Sequence, residues 1–193
     1  MSLMPHIVLL EAGLAFTQIR IDEFTKAIEG GGDYRTVYPL GYVPALLLDD
    51  GTLLTEGAAI VQYIADQVPS KGLAPPNGTI ERTKLQQWLN FISTEIHKSY
   101  SPLFSAEVPD AYKTMTKDKL FKRYAYVNEQ LKGKQFLLGN HFTVADGYLF
   151  TVTNWANFLK LDLSEFKEVR SFSDRVNSRP KVLQALKAEG LVK

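Results

Sequence analysis

The chain has 193 residues, no cysteine, a formal net charge of +1, and 45% hydrophobic against 22% charged residues. Without cysteine there are no disulfides, thiolate metal sites or cysteine nucleophile, and near-neutrality offers no pull toward nucleic acid or anionic membrane. The length supports one large or two small domains with a real core. No apolar run approaches the ~20 residues of a membrane span, and no basic-then-apolar leader opens the chain, so a cytoplasmic globular protein is expected.

Pro5 to Leu14 reads as a helix, with Ile7, Leu10 and Leu14 at helical spacing and Gly13 to end it. Phe16 to Ile21 alternates apolar and polar residues, the pattern of a half-buried strand. Phe24 to Glu29 is a short helix candidate, stopped by Gly30-Gly31-Gly32. Asp33 to Tyr42, with Pro39 and Gly41, reads as a loop.

The segment from Val43 to Ile60 is the most informative. The apolar run after Val43-Pro44 suits a strand buried on both faces. Asp50-Gly51 predicts a tight two-residue hairpin turn, because both central positions of such a turn want positive φ. A second short strand follows at Leu53-Leu54. Thr55-Glu56-Gly57 then opens a helix through Ile60 and Ile64. The first amides of that helix are unpaired and partly positive, which suits a carboxylate.

The stretch from Pro69 to Gly78 is a proline- and glycine-rich linker. Beyond it the period is helical: Glu81 to Tyr100, Asp110 to Leu131, Thr143 to about Lys160, Ser164 to Ser178, and Lys181 to Ala188. The helix after Thr143 is apolar nearly all round and is expected at the centre. Asp146 sits three positions after Thr143 as a shortened capping box, while Phe142 and Gly147 form no full hydrophobic staple. The fold class is therefore α/β plus all-α: residues 1–68 a small α/β domain, 69–78 a linker, 79–193 an all-helical domain.

His6, His97 and His141 show no paired ligand spacing, so no metal site is expected. Asn90 and His97, seven apart, share a helix face, with Ser93, Thr94 and Ser101 extending its polar side. That face is either the wall of a cleft or a solvated surface.

The motifs Val43-Pro44, Leu53-Leu54-Thr55-Glu56-Gly57, Trp88-Leu89-Asn90 with Glu95-Ile96-His97-Lys98, and Phe142-Thr143-Val144-Ala145-Asp146 together resemble the glutathione transferases, specifically the bacterial beta class. The resemblance runs from Ser2 to the C-terminus. It implies a thioredoxin-like N-terminal domain followed by a helical one, a homodimer, and conjugation of glutathione to small electrophiles in detoxification. It also implies that Pro44 is cis, that the Val43 backbone pairs with the tripeptide, that Glu56 receives the γ-glutamyl amine, and that the amides of Gly57 and Ala58 hold its carboxylate. Many relatives carry Ser at the Gly57 position. By the same resemblance His97 and Lys98 lie near the sulfur and the glycyl end, and Lys26 and Asn90 belong to the glutathione site. Lys26 is equally readable as a solvated lysine. Trp155, with Tyr100 and Phe104 behind it, lines the electrophile pocket or else the core. His6 and His141 read as structural, and Asp146 as a cap.

One departure matters. The family pattern places a further strand and a cysteine-bearing turn ahead of this segment, and Met1 falls in register with that cysteine. Ser2 is the hydroxyl in register to substitute as a catalytic group. A shortened protein, a late start and a gap filled by another segment all fit. The alternative function is a catalytically impaired binding or scaffold protein of the same fold.

Overall fold

One helix, a hairpin and a second helix precede the proline-rich linker, and a run of helices follows it. The computed structural model describes residues 2–192; Met1, set by the resemblance in register with the family's cysteine, lies outside them. Helix α1 spans Leu3–Ala12, two residues ahead of Pro5. It ends at Gly13, whose φ of 72° lets its N–H return to the carbonyls of Leu9 and Leu10. Met4, Ile7 and Val8 are buried where α1 meets the later helices.

Two expected elements do not form. Phe16 to Ile21 is not a strand: Ile21 makes only an isolated bridge to Ile28, and Ile19 is 60% exposed. Alternation describes two faces, but a strand also needs a neighbour for its N–H and C=O groups. Phe24 to Glu29 is not a helix. The Asp22 carboxylate accepts the N–H groups of Phe24 (3.0 Å) and Thr25 (2.7 Å) and the Thr25 hydroxyl (2.8 Å), which holds a turn instead. Lys26 leaves that turn with φ at 63°.

Strands β1 (Leu46–Leu47) and β2 (Leu53–Leu54) pair antiparallel, Leu46 opposite Leu54 and Leu47 opposite Leu53. The turn differs from the two-residue form. The Leu48 N–H meets the Thr52 carbonyl at 2.9 Å, the Gly51 N–H returns to the Leu48 carbonyl at 2.9 Å, and Gly51 alone between them has positive φ. This is a three-residue loop, a type I turn closed by a left-handed glycine. Nor is β1 buried on both faces. Leu46 and Leu54 pack on the core, while Leu47, on the other face, is 63% exposed.

Helix α2 (Gly57–Gln67) runs to the linker, and α3 (Ile80–Phe91) starts on a Thr79 hydroxyl that accepts the Arg82 N–H at 3.1 Å. A π turn, Ile92–His97, joins α3 to α4 (Lys98–Phe104), so the helix expected over 81–100 is continuous but not uniform. Helix α5 is Asp110–Leu131. The helix expected to reach Lys160 breaks at Asn154 into α6 (Val144–Thr153) and α7 (Trp155–Phe158). Helices α8 (Lys167–Asn177) and α9 (Pro180–Ala188) follow, with Pro180 in the first turn of α9, where its missing N–H costs nothing. No helix among the described residues is long and apolar enough to cross a membrane.

Every residue of α6 is buried, and α1, α2, α3, α8 and the π turn pack around it. Its entry is closed by Asp146, which accepts the N–H of Leu137 (2.8 Å) and the N–H (2.8 Å) and hydroxyl (2.9 Å) of Thr143. Burial pushes the Asp146 carboxyl up to about 6, against those donors and the charge of Arg179. The Phe142 ring packs toward Gly147, its tip 3.6 Å from where a Cβ would stand. The Arg179 guanidinium lies 4.3 Å over the Phe142 ring and grips Glu11 at 2.7 and 2.9 Å, tying the α8–α9 turn to α1. His6 is buried and bonds Glu189 at 2.8 Å, a second tie between the chain's ends.

Asp146→Ala leaves two buried N–H groups and a hydroxyl without their acceptor, at ~1–3 kcal/mol each. Urea unfolding is expected to show a loss of about 3 kcal/mol or more. A loss under about 1 kcal/mol would show that this cap is not what closes α6.

Candidate active site

The start of α2 is built by an unusual backbone. Glu56 precedes the helix at φ 64° and ψ 105°, a conformation that costs an L side chain of order 1–3 kcal/mol. Its carbonyl takes the N–H groups of Ala59 (2.9 Å) and Ile60 (3.0 Å). The N–H groups of Gly57 and Ala58 donate to nothing among the described residues and point out of the first turn with its positive dipole end. The Val43–Pro44 peptide is cis. A Cβ on Gly57 would stand 3.7 Å from Pro44 Cγ, so the Val43–Pro44 backbone lies against the same helix start. That Cβ would also fall 2.5 Å from Met4 Cε. The fully buried methionine of α1 therefore occupies the space that a serine at this position would need.

A second group of residues is held by the π turn. His97 Nδ1 lies 2.7 Å from the Tyr148 hydroxyl, and the imidazole stands edge-on to Trp155 with centroids 5.0 Å apart. Trp155 in turn meets Tyr100 at 5.5 Å and Phe104 at 5.6 Å, both edge-on. Tyr100 is fully buried and its hydroxyl bonds that of Tyr124 at 2.8 Å, so it backs Trp155; Phe104, 52% exposed, forms the outer lip. Burial is the main cause that lowers the His97 pKa to about 4, with the charge of Lys98 a lesser contributor, so the imidazole is neutral at pH 7. Burial raises the Tyr148 hydroxyl, the Ser93 hydroxyl beside it opposes that rise, and the negative charge of Glu56 adds to it.

His97, Tyr100, Phe104 and Trp155 are brought together, as are Val43, Pro44, Glu56, Gly57 and Ala58. The other expected residues make no side-chain hydrogen bond or ring contact with either group among the described residues. Lys26 lies along Gly41, its Cε 3.4 Å from where a Cβ would be. Asn90 is exposed and its carbonyl takes the Thr94 hydroxyl at 3.0 Å; the wider π turn between Asn90 and His97 breaks the seven-residue register that would align them. Lys98 is exposed and forms no ion pair among the described residues. The Ser2 carbonyl accepts the His6 N–H at 3.1 Å, while its hydroxyl bonds nothing among the described residues. Tyr148 was not legible as a site residue. Its one signal is a polar-tipped aromatic on a helix with no exposed face, whose hydroxyl must find a partner. Among the described residues no three His, Cys, Asp or Glu side chains gather as a metal site would require. Two surface clefts of about 770 and 780 Å³ open elsewhere, one beside Arg179 and Lys71 and one between α7 and α8.

The chain thus joins a hairpin-and-helix unit, with unpaired amides at its helix start among the described residues, to a helical unit that carries an aromatic wall. Residues 1–67 match the glutathione S-transferase N-terminal domain and residues 91–180 the glutathione S-transferase C-terminal domain. The chain is 50% identical over 190 residues to the glutathione S-transferase GstA of Escherichia coli O157:H7, covering 98% of this chain and 94% of that protein. Among solved structures it is similar to the ternary complex of BphK, a bacterial glutathione S-transferase (TM-score 0.96, 51% identity, 97% and 94% of the two chains). It is also similar to the beta-class enzyme of Sphingomonas chungbukensis (TM-score 0.94, 42% identity, 98% and 94%). The chain belongs to the glutathione S-transferase family.

The His97 shift has a signed consequence. The unfolded chain binds this proton near pH 6.5 and the folded chain only near pH 4. The stability this group contributes is therefore full above pH 6.5 and is lost as pH falls toward 4. Compared with His97→Phe in urea, the wild type is expected to lose about 1–3 kcal/mol of relative stability between pH 7 and pH 4. Asp146 titrates in both proteins and cancels in the comparison. A difference that does not change with pH would place the His97 pKa near its ordinary value.

Proposed function

We propose that this glutathione S-transferase joins the thiol of glutathione to small apolar electrophiles. The observation that carries the reading is the pairing of two half-sites. On one side are the Val43–Pro44 backbone, Glu56 and the N–H groups of Gly57 and Ala58, unpaired among the described residues; on the other is the wall of His97, Trp155 and Phe104. The first half suits an extended acidic peptide: main-chain pairing at Val43, the α-amino group on the Glu56 carboxylate, and the α-carboxylate on the two amides. The second half suits an apolar acceptor stacked on aromatic rings.

Holding thiol and electrophile together supplies the proximity part of the rate. A neutral His97 hydrogen-bonds the sulfur and favours its thiolate form. We assign Ser2, at the start of α1, as the hydroxyl that joins it, with Lys26, Asn90 and Lys98 as the polar rim. A sphingomonad glutathione S-transferase has been solved with glutathione, at a TM-score of 0.94 and 39% identity to this chain, which supports glutathione as the co-substrate. The setting we assign is a cytoplasmic homodimer acting in detoxification. A binding or scaffold protein without turnover is the less favoured reading, because the curated relatives at 50% and 34% identity are named as transferases.

The test is retention on immobilised glutathione together with conjugation of a chromogenic aryl halide. Glu56→Gly removes the carboxylate and gives the strained position a residue that tolerates positive φ. It is expected to weaken glutathione binding at least tenfold with the melting temperature unchanged or raised. Unaltered binding by Glu56→Gly would overturn the proposed orientation of the peptide. Absence of both retention and turnover in the wild type would overturn the function.

A further inference from the structure

We propose that Tyr148 is a positioning residue whose hydroxyl, donating to His97 Nδ1, fixes the imidazole as its Nε2–H tautomer and leaves that N–H free for the glutathione sulfur. The tyrosine stands on α6, buried along its whole length, and is itself 3% exposed, so its hydroxyl has one fixed location. Nδ1 is the only acceptor bonded to that hydroxyl among the described residues, at 2.7 Å. A phenol O–H is a good donor and an unprotonated imidazole nitrogen a good acceptor, so the proton runs from tyrosine to histidine. The reverse arrangement would turn the tyrosine proton onto the Ser93 hydroxyl, and the proton–nitrogen spectrum separates the two. Ser93 lies beside the same hydroxyl and, like His97, belongs to the π turn. The second ring nitrogen, Nε2, has no hydrogen-bond partner among the described residues, and His97 is part-exposed. Edge contact with Trp155 at 5.0 Å limits rotation of the ring about this single hydrogen bond. The result is a neutral imidazole presenting a donor at one atom, with no proton needing to move before substrate arrives.

The catalytic consequence rests on the glutathione reading, but the tautomer is a property of the free protein and is tested without any substrate. Long-range proton–nitrogen correlation spectra of the nitrogen-15-labelled chain at pH 7 are expected to show His97 protonated at Nε2 and unprotonated at Nδ1. In Tyr148→Phe, which deletes only the hydroxyl, the spectrum is expected to shift to a mixture of tautomers. The kcat for conjugation should fall about tenfold, with KM for glutathione within twofold. A wild-type spectrum with the proton on Nδ1 overturns the assignment, as does a Tyr148→Phe protein that matches wild type in both spectrum and kcat. If Tyr148→Phe does not fold, the wild-type spectrum decides alone. If no conjugation is detected in the wild type, the glutathione reading fails while the tautomer result still stands or falls on its own spectrum.

Discussion

Helix α6 has no side facing water, and the molecule is arranged to make that possible. A helix buried at its entry has no solvent to satisfy the amides and loop groups there, so the protein must supply acceptors itself. Asp146 does so for Leu137 and Thr143, and Arg179, stacked on Phe142 and paired with Glu11, closes the same end against α1. With its register held at that end, α6 carries to set depths the two of its three hydroxyls that bond other elements. One belongs to Tyr148, which meets His97. The other belongs to Thr153, which accepts from Tyr124 at 3.3 Å and so braces the Tyr100–Tyr124 pair behind Trp155. The cap of the central helix and the shape of the aromatic wall are thus one mechanical problem.

The π turn at Ile92–His97 answers that problem from the other side. Ser93 and His97 are presented inward from it, whereas Glu95 points outward to Arg123 at 2.6 Å and Lys119 at 3.7 Å on α5. A wide turn is a local departure from the best helical hydrogen bonding, and such turns recur at functional sites. Here the departure is pinned outside by an ion pair and inside by a tyrosine. The ion pair is half-exposed and contributes little stability on its own account. Its value lies in fixing which residues of the turn face the wall.

The sequence was most legible where one segment settles its own structure. Helix α5 falls on Asp110–Leu131 as its period predicts, Gly13 ends α1, and the all-apolar stretch after Thr143 is the central helix. The unreadable parts depend on something distant or on a single residue. Phe16 to Ile21 has a strand's alternation but only one bridge. Phe24 to Glu29 has helix-compatible residues but a carboxylate at Asp22 that bonds their backbone first. Asp50-Gly51 announces a hairpin correctly and its turn type incorrectly, because the loop extends one residue toward Leu48. The π turn leaves composition untouched and shows only as the lost alignment of Asn90 with His97. At the candidate site, the backbone half near Glu56 was readable from its own residues and the family motif. Tyr148 was not, because its partner lies 51 positions away.

Met4 and Gly57 are 53 positions apart and share one small volume, since a Cβ on the glycine would meet the methionine methyl at 2.5 Å. The obstructing atom is the end of a flexible, unbranched chain, so the conflict can be relieved from either partner. Substitutions at the two positions are consequently non-additive. A side chain at residue 57, which would add a hydroxyl to the anion-accepting helix start, is accommodated more readily once residue 4 is shortened. Shortening residue 4 alone opens a cavity under that helix start. The first turn of α2 and the first turn of α1 are therefore coupled through one small volume, and a core methionine restricts which polar groups the surface of the site can carry.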